Sequence, residues 1–245
     1  MSAFNEFKER VDSLGCKMSD VKNFMYLEDA AQRFTELLYH EFSKSVVLTR
    51  IFATIPFGRL PDFRKNFVIQ LAESSGIMSQ LTDNTPVLSL LGTYGQNEIW
   101  NNWRNSRGHI GIPLASYDFI DKIPMLSRLL KELGIRLEWL NIYDTKIVTK
   151  KIGRLAGLFY VQDAATALDD NGRKIISAQD FVRDFNIRTV FGMGGMYPSK
   201  NVYIVMINFT NRNLPHSGAE LFMKLINIFN SETTVLLSGW KIFRP

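Results

Sequence analysis

The chain has 245 residues, 46% hydrophobic and 22% charged, enough for one large domain with a substantial core. Its 29 Lys and Arg against 24 Asp and Glu leave a formal charge of +5, but the basic residues are scattered. The small clusters at Lys150-Lys151 and at Arg104 and Arg107 do not make a nucleic-acid face, and the balance reads as solvated surface. No apolar run reaches the roughly 18 residues of a membrane span. The N-terminal MSAFNEFKERVDSLG mixes charges into its apolar positions, unlike a secretory h-region. A single cysteine, Cys16, excludes an internal disulfide and a multi-cysteine metal site. A cytoplasmic protein, with neither nucleic acid nor membrane as partner, is the expectation.

Residues 1–23 read as an N-terminal extension or helix, 24–238 as one domain, and 239–245 as a tail. From Tyr26 to Ser43, Leu27, Ala30, Ala31, Phe34, Leu37, Leu38 and Phe42 recur at helical spacing. The β-branched run VVLTRIFATI, Val46 to Ile55, is a strand that closes at Pro56-Phe57-Gly58. Asp62 stands near the start of a second helix, and VLSLLGTYG after Thr85-Pro86 is a second strand ended by glycine. Gln96 to Pro113 has no clean periodicity and reads as a long loop rich in side chains; its two tryptophans argue against disorder. Pro124 opens a short helix that stops at Gly134. Residues 136–147 and 155–161 are predicted strands, and Asp169-Asp170-Asn171-Gly172 an exposed turn.

Ser177 is the predicted N-cap of the next helix, with Asp180 completing a weak capping box and Asn186 ending it. A hairpin follows: a glycine-bearing strand from Thr189 to Met196, a turn at 198–201, and a strand from Val202 to Phe209. The apolar run VYIVMINF places that last strand in the middle of a sheet, covered on both faces. A closing helix starts near His216, with Leu221, Phe222, Leu225, Ile226 and Phe229 as its packing stripe.

This order of elements resembles a GAF-like domain, a relative of PAS, over about residues 24 to 237. The segment DFNIRTVFGMGGMYPSKNVYIVMINFTNRNLPHSGAELFMKLI is similar to the family's ending, in which a strand hairpin and a polar stretch lead to the last helix. WNNWRNSRGHIGIPL together with FYVQDA and that hairpin resembles N-terminal sensor modules of bacterial signalling proteins, including histidine kinases. The resemblance implies an α/β (α+β) fold: a central, mainly antiparallel sheet, helices packed against it, and an enlarged middle loop region. It also implies a sensory role and a homodimer, with the helices at 24–42 and 216–237 as association elements. The chain departs from three versions of that role. Cys16 lies outside the expected fold, where no bilin-attaching cysteine belongs; the several cysteines of methionine-sulfoxide-reducing members are absent, as is the NKFDE-type signature of cyclic-nucleotide binders. With Pro245 as the last residue and no output segment, a signal is expected to pass through a protein partner or through self-association.

No residue set stands out as catalytic. His109, beside Gly108, could meet a ligand or donate a proton, or serve to organise the loop. Trp100, Trp103 and Arg104 could line a pocket and hold an anionic group; alternatively both tryptophans plug the edge of the core while Arg104 pairs with an acidic residue. Asp163 could face that arginine or a ligand, or serve as a cap. With Tyr160 before it, and Phe191 and Gly194 on the glycine-bearing strand, these form the candidate ligand-binding set; the ligand, and any cofactor, is unknown. Gly192-Met193-Gly194-Gly195 lacks the Lys-Ser/Thr of a phosphate loop and does not open a helix. No metal triad is suggested, because His40 and His216 lie far from His109 in sequence. Three readings stay open. The first is a non-enzymatic sensor with a small ligand between the sheet and the 96–113 loop. The second is a hydrolase or lyase using His109 and a carboxylate in one cleft, and the third a scaffold whose cavity is filled by its own side chains.

Overall fold

Among the described residues six strands pair into one antiparallel sheet, and helices cover both of its faces. A computed structural model describes residues 3–106, 109–134, 157–197 and 202–245. The strand expected over 136–147, the turn at 198–201, the Lys150-Lys151 pair, Arg107 and Gly108 lie outside the described residues. The strands are β1 (Val46–Pro56), β2 (Pro86–Gly95), β3 (Gly111–Pro113), β4 (Gly157–Val161), β5 (Thr189–Met196) and β6 (Tyr203–Thr210), in the spatial order β3-β2-β1-β6-β5-β4. β1 and β6 are therefore central, and every residue of β6 is buried, as its nearly continuous apolar run predicts. A central antiparallel sheet with helices packed against it is the architecture that the resemblance implies.

One face carries long, regular helices: α1 (Ala3–Lys17), α2 (Leu27–Phe42) and, near the end of the chain, two helices in place of the single one expected. Side chains on β1 alternate, so Ile51, Ala53 and Ile55 meet the fully buried Ala30, Phe34 and Leu38 of α2 in one apolar cluster. Phe34 stacks edge-on against Phe229, ring centroids 5.0 Å apart. Phe42, Phe222 and Phe191 form a chain of rings at 5.1 and 5.0 Å. Burial of each such side chain contributes about 1.5–3 kcal/mol.

The second face is covered by shorter pieces. These are α3 (Asp62–Ser74), which lies on β3 at the sheet edge, α4 (Tyr117–Asp121), α5 (Pro124–Glu132), α6 (Gln179–Asp184) and two 3-10 turns in the 96–105 stretch. Leu48, Phe52, Ile112, Phe119, Leu129, Phe159 and Val205 make up much of its apolar cluster. The two helices at the end of the chain, α7 (His216–Leu221) and α8 (Met223–Ser238), are separated by Phe222 alone.

Several expectations need correction. The 96–113 stretch is not all loop, since Gly111–Pro113 pairs with β2 as the edge strand. Ser177 does not cap α6: its carbonyl accepts the Gln179 N–H at 2.8 Å, and the helix begins two residues later. The segment before residue 24 holds the helix α1 and, like the tail after 238, contributes side chains or backbone to the packing. Val11, Leu14, Met18 and Val21 are at most 1% exposed, and the N–H groups of Leu27 and Glu28 donate to the carbonyls of Lys241 and Ile242 at 2.8 and 3.0 Å. Cys16 sits on the exposed side of α1, within the fold.

Candidate functional site

The asparagines of the 96–105 stretch account for its shape. Asn97 and Asn102 each accept, through the side-chain oxygen, the N–H two residues on, at 3.0 Å. Each so caps a 3-10 turn, Glu98–Asn101 and Trp103–Asn105. The Asn101 side chain accepts the Gly95 N–H at 2.8 Å, and the Gln32 amide on α2 reaches the Asn101 carbonyl at 3.2 Å. The turns deliver two half-buried tryptophans. Trp100 packs on Phe185 and Phe181, with centroids 4.7 and 5.6 Å away, while Trp103 lies 3.7 Å from the Arg64 guanidinium. Arg104 stacks on the Trp103 ring at 4.4 Å and, among the described residues, forms no ion pair.

Beside this stretch lies a groove of about 510 Å³ between α3, β3 and α4. Leu71, Ile112, Phe119 and Ile123 line it with apolar surface, and Ser74, Ser75, His109 and Lys122 bring polar groups. His109 is the one residue of the candidate set that borders it. Asp163 borders a different depression, with Arg128, Thr166, Arg188 and Asn213. Its carboxylate accepts the Ala165 N–H at 3.0 Å and the Thr166 hydroxyl at 2.8 Å, and the Thr166 bond, then the backbone N–H, holds its pKa below the usual carboxylate value. His109 and Asp163 are thus not brought together.

The remaining candidates hold the fold. Tyr160 donates its hydroxyl to the Leu214 carbonyl at 2.7 Å and packs against His216 at 5.1 Å, and burial raises its pKa. Phe191 is fully buried on the long-helix face, against Phe222. The space above Gly194 is taken by the Tyr203 ring, with which a Cβ there would collide. Both positions are therefore packed against the chain's own aromatic rings.

Three groups that the sequence reading passed over are more unusual. Arg64 of α3 is 1% exposed and well partnered: it donates to the Leu90 carbonyl at 2.5 Å, the Ser89 hydroxyl at 3.0 Å and the Glu28 carboxylate at 3.2 Å. The Phe243 ring lies 4.6 Å from it as well. Arg50, in the middle of β1, is the opposite case. Its Nε is shielded from solvent with no hydrogen-bond partner, and it forms no ion pair among the described residues. Directly across from it on β2 is Thr93, whose Oγ1 is likewise shielded and without a partner. Desolvation lowers the pKa of Arg50, and of Arg64 ahead of the opposing effect of Glu28, to about 10, so both stay charged at neutral pH. The signal for Arg50 was present: one charge inside a β-branched run that has a strand on either side.

No family model and no curated protein matches the chain. Among solved structures it is similar to the phycoerythrobilin-bound GAF domain of a cyanobacterial phytochrome, at 10% identity and a TM-score of 0.43 over 98% of both chains. It is also similar to a phycocyanobilin-bound GAF domain from a cyanobacterial phytochrome, at 8% identity and a TM-score of 0.45 over the whole of both. Among the described residues no helix is long and apolar enough to cross a membrane, and no cluster of three or more His, Cys, Asp or Glu could hold a metal.

Proposed function

We propose that the chain is a non-enzymatic sensory or regulatory protein of GAF-like type, which takes a small ligand on the loop-covered face of its sheet. It passes the signal to a protein partner or through a dimer. The observation that carries the reading is the groove at His109. Its volume of about 510 Å³ falls in the range of small-molecule sites, and it pairs an apolar lining with a few polar groups from three separate elements. Binding there would draw α3, β3 and α4 together, and a ligand that favours the closed arrangement shifts the population toward it.

A hydrolase or lyase would need a carboxylate beside His109. Among the residues bordering the groove there is none, and Asp163 is engaged with Thr166 and Ala165 elsewhere. Native mass spectrometry of protein drawn from cell extract, with light scattering on a sizing column, tests the reading. A retained small molecule that is lost in Ser75→Trp, which fills the groove, together with a dimer mass, is the expected result. A bare monomer, in wild type and variant alike, would remove both halves of it.

A further inference from the structure

Arg50 and Thr93 form a cross-strand pair at the centre of the sheet, away from the His109 groove at its edge. Residues directly opposite in an antiparallel pair point to the same face. Arg50 shares that face with Leu48 and Phe52, two positions away on either side, and both belong to the apolar cluster under the short helices and turns. On its other flank the register partner is Ile207, from the same cluster. The guanidinium therefore rises from an apolar floor. Because the backbone of β1 is enclosed between β2 and β6, the exposure that Arg50 keeps belongs to its side chain.

The backbone of Thr93 cannot serve as the missing partner. Its carbonyl accepts the Gln32 amide at 2.9 Å and its N–H donates to the Gln32 side-chain oxygen at 3.2 Å. What is left without a partner at the pair is the Arg50 Nε–H of a cation and the Thr93 hydroxyl, both shielded from solvent. A cationic or purely apolar ligand would leave both unmet. An oxyanion accepts from both and supplies the missing counter-charge, in a setting where low dielectric strengthens such bonds. Arg64 demonstrates what this fold does with a buried guanidinium that belongs to the structure: it gives it a carboxylate, a hydroxyl and a carbonyl.

We propose that Arg50 and Thr93 are the anchor of a second, anion-binding site, which takes a small molecule bearing a carboxylate or phosphate group on the loop-covered face of the sheet. The site is independent of the His109 groove, and either can fail alone. The test is thermal unfolding and titration calorimetry of the purified chain with inorganic phosphate in one arm and acetate in the other, chloride holding the ionic strength constant. Wild type is expected to gain Tm saturably with one of the two anions, and the responding arm identifies the group. Arg50→Met should weaken that binding by about tenfold or more, as loss of a charged hydrogen-bond partner implies. Thr93→Val should weaken it by a smaller factor, and Ser75→Trp should leave it unchanged. If neither anion acts beyond the chloride control, the pair is met by water and the proposal is overturned. A response in Arg50→Met equal to wild type overturns it too. Should Arg50→Met not fold, an undiminished response in Thr93→Val has the same force.

Discussion

Arg64 and Arg50 are both arginines pressed into apolar surroundings, one at the β3 edge of the sheet and one at its centre, and their neighbourhoods are opposites. At the edge, α2, α3, β2 and the tail converge so that each face of the guanidinium meets an acceptor or a ring. At the centre, Arg50 has apolar neighbours and a hydroxyl that itself lacks a partner. Breaking a buried ion pair costs several kcal/mol, so a fold keeps one only with its partners in place. The difference separates a structural cation from one held open for something else.

The largest expected effect is at the paired site. Glu28→Leu removes the counter-charge of Arg64 and leaves it only the Leu90 carbonyl and the Ser89 hydroxyl, and should cost about 3–5 kcal/mol of unfolding free energy in urea titrations. If the loss is far smaller, the contrast between the two arginines has no energetic content. Next, the double variant Glu28→Leu/Arg64→Met should recover a large part of that loss, about 1–3 kcal/mol, because the orphaned charge is gone; a double-mutant cycle reads the coupling.

At the centre the sign reverses. In buffer free of carboxylate and phosphate, Arg50→Met should raise stability by about 1 kcal/mol or more, a Tm shift of a few degrees in a chain of this size. Burial depresses this base to about 10, below its unfolded value, so the penalty is complete at neutral pH and eases only as pH climbs past about 10. The advantage of Arg50→Met should therefore be flat from pH 6 to 9. The smallest effect belongs to Asp163, whose carboxylate is already satisfied. Asp163→Asn should lose about 1 kcal/mol or less at neutral pH. Its native pKa lies below the unfolded one, so that contribution is present above about pH 4 and disappears as pH falls through the native value, where variant and wild type should converge.

Most of the element order could be read from the chain because the long helices and strands carry strong periodicity. The α2 stripe, the β1 run and the stop at Gly134, where φ is +80°, are local signals and appear in place. The edge strand Gly111–Pro113 was hidden, since three residues carry no period and their pairing with Val87–Ser89 is tertiary. The site was far less legible. A strand covered on both faces has no alternation, so nothing in GMGGM or VYIVMINF says that Phe191 turns toward the long helices or that Tyr203 closes over Gly194. Trp100 and Trp103 announced themselves by size, yet whether they wall a cavity or pack on Phe185 and Arg64 depends on segments distant in sequence. Arg50 was visible as a letter and became meaningful only once its register partner was known.

The bonds from Leu27 and Glu28 to Lys241 and Ile242 bear on synthesis. No side chain caps α2, and its first two N–H groups are met by backbone that lies near the other end of the numbering. The Glu28 carboxylate also accepts the Arg244 N–H, across a separation of 216 residues. A ribosome delivers α2 well before its cap, which lies more than 200 residues further along. Until residues 241–244 emerge, the helix that floors the sheet has an open end, and the acid that neutralises Arg64 is not yet fixed in direction. A chain cut after Ser238 would keep every strand and yet stay in that unfinished condition, with hydrogen exchange fastest at the start of α2.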